Sequence, residues 1–205
     1  MKALAAQIAP KVYTHGFQNN ATFSHFHTFT FPHFHTFNFQ LSTFNFSMRI
    51  GFGYDSHRFD ASRPLMLGGV RIDGAPGLAG HSDADALLHA IIDSLLGAAA
   101  LGDIGSHFPD TDERWRGADS SALLSAVAEE VAEAGYRVGN IDATVICERP
   151  KLRPHIDAMR ARIAEILGIE ASKVSVKGKT NEGMGAIGRG EGMAVYCVSL
   201  LETRR

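Results

Sequence analysis

Downstream of Met48, apolar and polar positions alternate in two distinct periods. Arg49–Asp55, RIGFGYD, predicts a strand, with glycines where backbone or a ligand must approach closely. Leu65–Ile72 predicts a second strand or hairpin arm, with Gly68 and Gly69 as a bulge. From Ser82, the residues Leu87, Leu88, Ile91, Ile92, Leu95 and Leu96 recur at helical spacing. Ser82 or Asp83 is the expected cap, and Gly102 follows the helix end. After the polar loop GDIGSHFPDTDERWRGADS, a second helix runs through Ala122–Ala134 and stops at Gly135. Ile141–Cys147 alternates as a strand, and Pro154–Leu167 is an amphipathic helix terminated by Gly168. Val174–Lys177 and Met193–Leu201 predict two more strands around a glycine-rich loop.

The order β-β-α-α-β-α-β-β implies a single α/β (α+β) domain, a mixed β-sheet packed against helices. Composition agrees: 45% of the 205 residues are hydrophobic and 20% charged, enough for one sizeable core. A formal net charge of −2 gives no electrostatic basis for binding nucleic acid or an anionic membrane. The longest apolar stretch, Ala86–Leu101, is interrupted by His89 and Asp93, so no membrane span is expected. Cys147 and Cys197 form no C-x-x-C pair and no disulfide framework, which suits a reducing, cytoplasmic location.

Residues 1–47 differ in kind. They contain no Asp or Glu, ten of the thirteen Phe and five of the ten His. The run FSHFHTFTFPHFHTFNFQ is low-complexity and short of branched aliphatics. A histidine metal tract would need helping carboxylates or cysteines, and a targeting peptide would carry arginine or an apolar core. The segment is therefore read as a disordered or non-native extension, with function carried by residues 48–205.

Candidate chemistry begins at Asp55-Ser56-His57. Alternate strand residues face one side, so this carboxylate and imidazole can converge on one ion. Asp85, His89 and Asp93 share one face of the following helix. If the strand end meets that helix, Asp55, His57 and His89 make a three-ligand site with positions open for substrate, as at catalytic zinc. Each half alone is a common surface or core arrangement; the pairing gives the signal. His81 and Ser82 open the same helix, where free N–H groups favour phosphate or simple capping. Asp103, Asp110 and Asp112 sit in a turn-rich loop, as a solvated connector or as acceptors for polyol hydroxyls. Lys177-Gly178-Lys179-Thr180-Asn181-Glu182 and Gly188-Arg189-Gly190-Glu191-Gly192 suit a diphosphate, and Glu182 suits magnesium, although no P-loop spacing is present.

The stretches MRIGFGYDSHRF, LAGHSDADALLHAIIDSLLGAAALGDIGSHFPDTD, ERPKLRPHI and GRGEG resemble the 2-C-methyl-D-erythritol 2,4-cyclodiphosphate synthase family over residues 48 to about 203. The resemblance implies a homotrimer with sites between subunits and a phosphorus–oxygen lyase reaction. The substrate would be 4-diphosphocytidyl-2-C-methyl-D-erythritol 2-phosphate, a cytidine diphosphate, with release of CMP. It implies zinc, or another divalent transition metal, on Asp55, His57 and His89, and magnesium or manganese on Glu182. His81 and Thr180 resemble the catalytic pair that positions phosphate. Ser82, Asp103, Ile104, Gly105, Phe108, Asp110 and Asp112 resemble methylerythritol and phosphate contacts. Cys147, Lys151, Leu152 and Lys179 resemble the cytidine pocket, and Arg189 a substrate contact. Lys179-Thr180-Asn181 stands where other members carry three threonines, and Ala186 where some carry Phe. A metal-dependent phosphohydrolase and a non-catalytic metal- or nucleotide-binding module fit the same residues; the products distinguish them.

Overall fold

The computed structural model describes residues 47–204. The expectation for the N-terminal extension therefore lies, apart from Ser47, outside the described residues. Five strands form one mixed sheet in the order β2-β1-β5-β3-β4. They are β1 (Met48–Leu67), β2 (Val70–Leu78), β3 (Tyr136–Ile146), β4 (Val174–Lys179) and β5 (Gly192–Thr203). Only β3 and β4 pair in parallel; the remaining neighbours are antiparallel. Three helices accompany the sheet: α1 (Ala86–Ala99), α3 (Ser120–Glu133) and α4 (Ile156–Leu167). Single-turn helices α2 (Ile104–His107) and α5 (Gly185–Gly188) sit in the loops.

The predicted order of long elements matches, and the differences lie at the ends. β1 and β2 form one long hairpin. Gly68 and Gly69 are its two-residue turn, with φ of 63° and 70°, the conformation such turns need. The irregular register lies instead between Asp60, Pro64 and Leu65. Helix α4 starts at Ile156, because Arg153–His155 is a 3₁₀ turn.

Helix α1 begins later than expected, at Ala86, with Asp85 rather than Ser82 or Asp83 as cap. The Asp85 carboxylate accepts from the N–H groups of Leu87, Leu88, Gly68 and Gly69, so it pins the helix start to the hairpin turn. Burial pushes this carboxyl up, opposed by those N–H donors.

Close approach of α1 to β1 depends on two glycines. A Cβ at Gly51 would sit 1.8 Å from the Ser94 carbonyl oxygen, and one at Gly53 would sit 1.9 Å from that of Ala90. The helix therefore lies directly on the strand backbone. Leu87, Leu88, Ile91, Ile92, Leu95 and Leu96 are fully buried around it, each worth about 2 kcal/mol of transfer free energy. Apart from His89, Asp93 and Gly97, every residue of α1 is buried. Those three, spaced i, i+4 and i+8, form the helix's one accessible line.

Among the described residues, no element packs on the sheet's other face, which is apolar. Met48, Ile50, Phe52 and Tyr54 of β1 and Tyr196 and Val198 of β5 are exposed there. Among the described residues, no helix is long and apolar enough to cross a membrane.

Candidate active site

Asp55 and His57 point to the α1 side of β1, the same side as Gly51 and Gly53, as the period of two requires. The absence of side chains at 51 and 53 draws α1 close enough for His89 to complete the group. His57 Nε2 lies 2.9 Å and His89 Nδ1 3.0 Å from Asp55 Oδ2. One ligand atom from each residue lies within 4.8 Å of the others, a spacing that a single metal ion fits.

Donor chemistry supports an ion there. His57 Nδ1 stands 2.7 Å from the Ala79 carbonyl oxygen, which can only accept, so Nδ1 carries the proton. Without a second proton, His57 Nε2 offers a lone pair, buried 2.9 Å from Asp55 Oδ2. A lone pair aimed beside a carboxylate calls for a cation or a second proton. Protons satisfy the group in the metal-free state. Burial alone would raise the Asp55 carboxyl, but hydrogen bonds from His57 and His89 outweigh it and hold the carboxyl far below its usual range. Burial disfavours charged His57, and Asp55 outweighs that to raise the imidazole.

Asp93 and Asp85, aligned with His89 in sequence, do other work. Asp93 Oδ1 accepts from the Ile104 N–H at 2.8 Å and so ties the 102–105 turn to α1. His81 and Ser82 do not open the helix, as their position in the sequence suggested; they lie in the bend before it. The first free N–H groups of α1 are already taken by Asp85, so this terminus offers phosphate little. Ser82 Oγ instead contacts His89 Nε2 at 3.1 Å. His81 Nε2 is buried and has no partner among the described residues.

A second region gathers the residues expected at a nucleotide. Cys147, Lys151, Leu152, Lys179 and Thr180 line a cavity of ≈ 370 Å³ between the loop after β3 and the end of β4. Thr180 Oγ1 donates to Glu182 Oε1 at 2.5 Å, and Glu182 adopts a left-handed φ of 50° in the following turn. Arg189 is exposed and paired with Glu191 at 2.7 Å.

The remaining expected contacts occupy the loop after α1. Asp103 caps α2 and accepts from Ser106; Ile104 is half-buried and Gly105 exposed. Phe108 packs edge-on to Trp115, with ring centroids 5.0 Å apart. Asp110 is exposed, and Asp112 pairs with Arg114.

The model of the YgbB family matches residues 48–202. The chain belongs to that family. Its relatives include proteins named 2-C-methyl-D-erythritol 2,4-cyclodiphosphate synthase from Thermosynechococcus vestitus and Salinibacter ruber. The first is 58% identical across 76% of this chain and 97% of its own length, the second 59% identical across 76% and 99%. A solved synthase in its CDP-bound form is 38% identical with a TM-score of 0.69, covering 75% of this chain and 99% of that one. An IspF–CDP complex from Plasmodium falciparum is 35% identical with a TM-score of 0.68, covering 77% and 97%.

Within this YgbB-family chain, two structural anchors escaped the sequence reading. Glu148 Oε1 accepts from the Asn181 and Gly183 N–H groups, at 2.9 and 3.3 Å, and binds the 180–183 turn to the 147–153 loop. The Arg63 guanidinium holds the carbonyls of Gly80 and Ser82. Neither has a local signal, because each pairs with backbone far along the chain. Asn181 is engaged internally: its Nδ2 donates to the Met184 carbonyl at 2.7 Å.

Proposed function

We propose that this chain converts 4-diphosphocytidyl-2-C-methyl-D-erythritol 2-phosphate to 2-C-methyl-D-erythritol 2,4-cyclodiphosphate and CMP, a step of non-mevalonate isoprenoid synthesis. The observation that carries this reading is identity near 58% over almost the whole length of synthases so named. The assembled Asp55, His57 and His89 group agrees with it.

The reaction is an internal phosphoryl transfer. An oxygen of the substrate's 2-phosphate bonds to the β-phosphorus, the bond from that phosphorus to the CMP oxygen breaks, and CMP leaves with the electron pair. Asp55, His57 and His89 would hold zinc or a similar divalent transition metal, and Glu182 magnesium or manganese, which when bound would supply positive charge to the phosphoryl oxygens. Lys151 and Lys179 offer fixed cations beside the cavity, and Cys147 to Leu152 hold the cytidine end. Ser82, Asp103, Ile104, Gly105, Phe108, Asp110, Asp112 and Arg189 surround the methylerythritol phosphate, while His81 and Thr180 donate to phosphate oxygens. The nucleophile already belongs to the substrate, so orientation replaces an enzyme nucleophile.

Asp55, Val195, Val145 and Gly178 form one row across four strands. At ~4.8 Å per strand, the metal and nucleotide corners of one chain stand about 14 Å apart. Val195 and Val145 between them are fully buried, so core fills the direct path. An apolar sheet face that no described element covers suits self-association. These features support a homotrimer in which each site takes its metal half and its nucleotide half from neighbouring subunits. The two buried free thiols suit the cytoplasm. Residues 48–205 form the catalytic domain, and removing residues 1–47 should leave turnover intact.

Phosphorus NMR of the products tests the reaction. A cyclic diphosphate with CMP is expected; linear hydrolysis products would indicate a phosphohydrolase, and no turnover a binding module. Co-refolding His57→Ala with Lys151→Glu tests the shared site. Each variant alone is inactive, and about a quarter of sites should be restored in random mixed rings. Verified mixed trimers without restored CMP release would place both halves in one subunit.

A further inference from the structure

Behind the metal corner, one polar chain leads away from the site. Ser120, the first residue of α3, brings its Oγ to 2.9 Å from His89 Nε2. That same hydroxyl donates to Asp83 Oδ1, and the Ser120 N–H donates to Asp83 Oδ2 at 3.2 Å. Asp83 is itself held by its N–H bond to the Ala118 carbonyl at 3.0 Å. Ser120 is fully buried and the Ser82 hydroxyl nearly so, which shelters the chain from water.

The direction of protons along this chain is fixed. An ionised carboxylate only accepts, so the single Ser120 hydroxyl proton goes to Asp83. The Ser120 oxygen can then face His89 Nε2 only as acceptor, and Nε2 must carry the proton. In the metal-loaded protein, where an ion replaces the proton that Nδ1 shares with Asp55 in its absence, His89 Nδ1 presents its lone pair at the point it shares with Asp55 Oδ2 and His57 Nε2. The two imidazoles are thus set in opposite tautomers. His57 presents Nε2 because Ala79 takes its Nδ1 proton, and His89 presents Nδ1 because Ser120 takes its Nε2 proton.

We infer that Asp83 and Ser120 are positioning residues for the metal, acting as a carboxylate–hydroxyl relay that holds His89 in its ligating tautomer. The inference rests on the metal reading of Asp55, His57 and His89, and it assigns a role to two residues that touch neither ion nor substrate. Partners of this kind on ligating histidines typically change metal affinity 10- to 100-fold. The intermediate hydroxyl matters because Asp83 sits on the bend before α1 while Ser120 opens α3. The relay therefore makes the seating of α3 a condition for a competent ligand on α1.

The test uses the full-length chain. Zinc affinity is measured by competition with a chromophoric chelator for wild type, Ser120→Ala, Ser120→Thr and Asp83→Asn. Imidazole nitrogen–proton correlation spectra of the zinc-loaded proteins report the His89 tautomer. Ser120→Ala and Asp83→Asn are expected to weaken zinc binding at least about tenfold and to erode the Nε2–H signature of His89. Ser120→Thr, which keeps the hydroxyl, should restore both. If Ser120→Ala fails to fold, Asp83→Asn reads the same relay while leaving the helix residue in place. Variants with a lowered melting temperature but wild-type zinc affinity and an unchanged His89 spectrum would mean that Asp83 and Ser120 only dock α3, and would overturn the relay. Wild-type protein that takes up no zinc would instead overturn the metal reading and the relay with it.

Discussion

At the corner proposed for the metal, each candidate ligand hangs from an element that continues beyond the site: Asp55 and His57 from the 20-residue β1, His89 from the buried α1. At the corner proposed for the nucleotide, Lys151, Leu152, Thr180 and Glu182 stand in loops, joined by the Glu148 carboxylate and the Cys147 N–H bond to the Lys179 carbonyl. A metal ion tolerates little positional error in its ligands, and buried elements supply that accuracy. A nucleotide must enter and leave, and loops on a rigid frame allow it. Under the proposed function, the two corners divide one reaction into a part that is held and a part that adapts.

Removing a ligand should break the metal corner most sharply. His89→Ala is expected to lose zinc and on the order of 10³-fold in turnover, since several kcal/mol of charge stabilisation disappear. The fold should persist, because the six buried Leu and Ile residues of α1 place the helix without the ion. Metal analysis beside circular dichroism checks this, and full zinc occupancy in the variant would remove His89 from the ligand set.

Moving the frame rather than the ligand comes next. Gly53→Ala puts a methyl 1.9 Å from the Ala90 carbonyl oxygen, one residue from His89. Overpacking should cost about 3 kcal/mol of stability, and a displacement near 1 Å should lower turnover about 10²-fold. Denaturant melts and metal titration on one sample separate the two losses; unchanged zinc affinity would show that α1 does not set the site.

The adaptable corner should respond more mildly and differently. Glu148→Ala frees two backbone donors and is expected to cost about tenfold in kcat/KM, with zinc occupancy untouched. Glu148→Gln keeps an accepting oxygen and should recover part of the loss. Steady-state kinetics on both variants decides; a wild-type kcat/KM in Glu148→Ala would mean the turn is held otherwise.

The smallest effect concerns the thiol in the cavity wall. Burial pushes Cys147 up to about 11, with nearby Glu148 adding to the shift and Lys151 opposing it. A raised value keeps the thiol protonated through pH 9, so iodoacetamide should label native protein slowly at pH 8 and faster as pH approaches 11. Mass spectrometry of the labelled peptide gives the profile, and rapid labelling at pH 7 would contradict a buried thiol.

The sequence by itself determined the order of the long elements and three of the metal-corner facts. Period-two spacing put Asp55 and His57 on one side of a strand, and helical period put His89 on the line left polar in an otherwise apolar helix. The glycines in RIGFGYD announced a close approach. Those signals are local and repeat with the geometry of the backbone, so one chain displays them. Residues 147–152 were legible only through family resemblance, because loop contacts follow no period; the composition of 177–182 suggested a diphosphate and a magnesium ligand, but not which other parts of the chain that loop meets.

Only the tertiary structure decided the rest. It moved the start of α1 from Ser82 to Ala86, since the Asp85 carboxylate finds four N–H donors, two of them on a hairpin turn distant in sequence. It made Asp93, which shares the His89 face of α1, a tether for Ile104. It brought Ser120 and Asp83, 37 positions apart, into one chain behind His89. A side chain's hydrogen-bond partner depends on which elements pack together, and packing is set by the whole core rather than by any window of sequence.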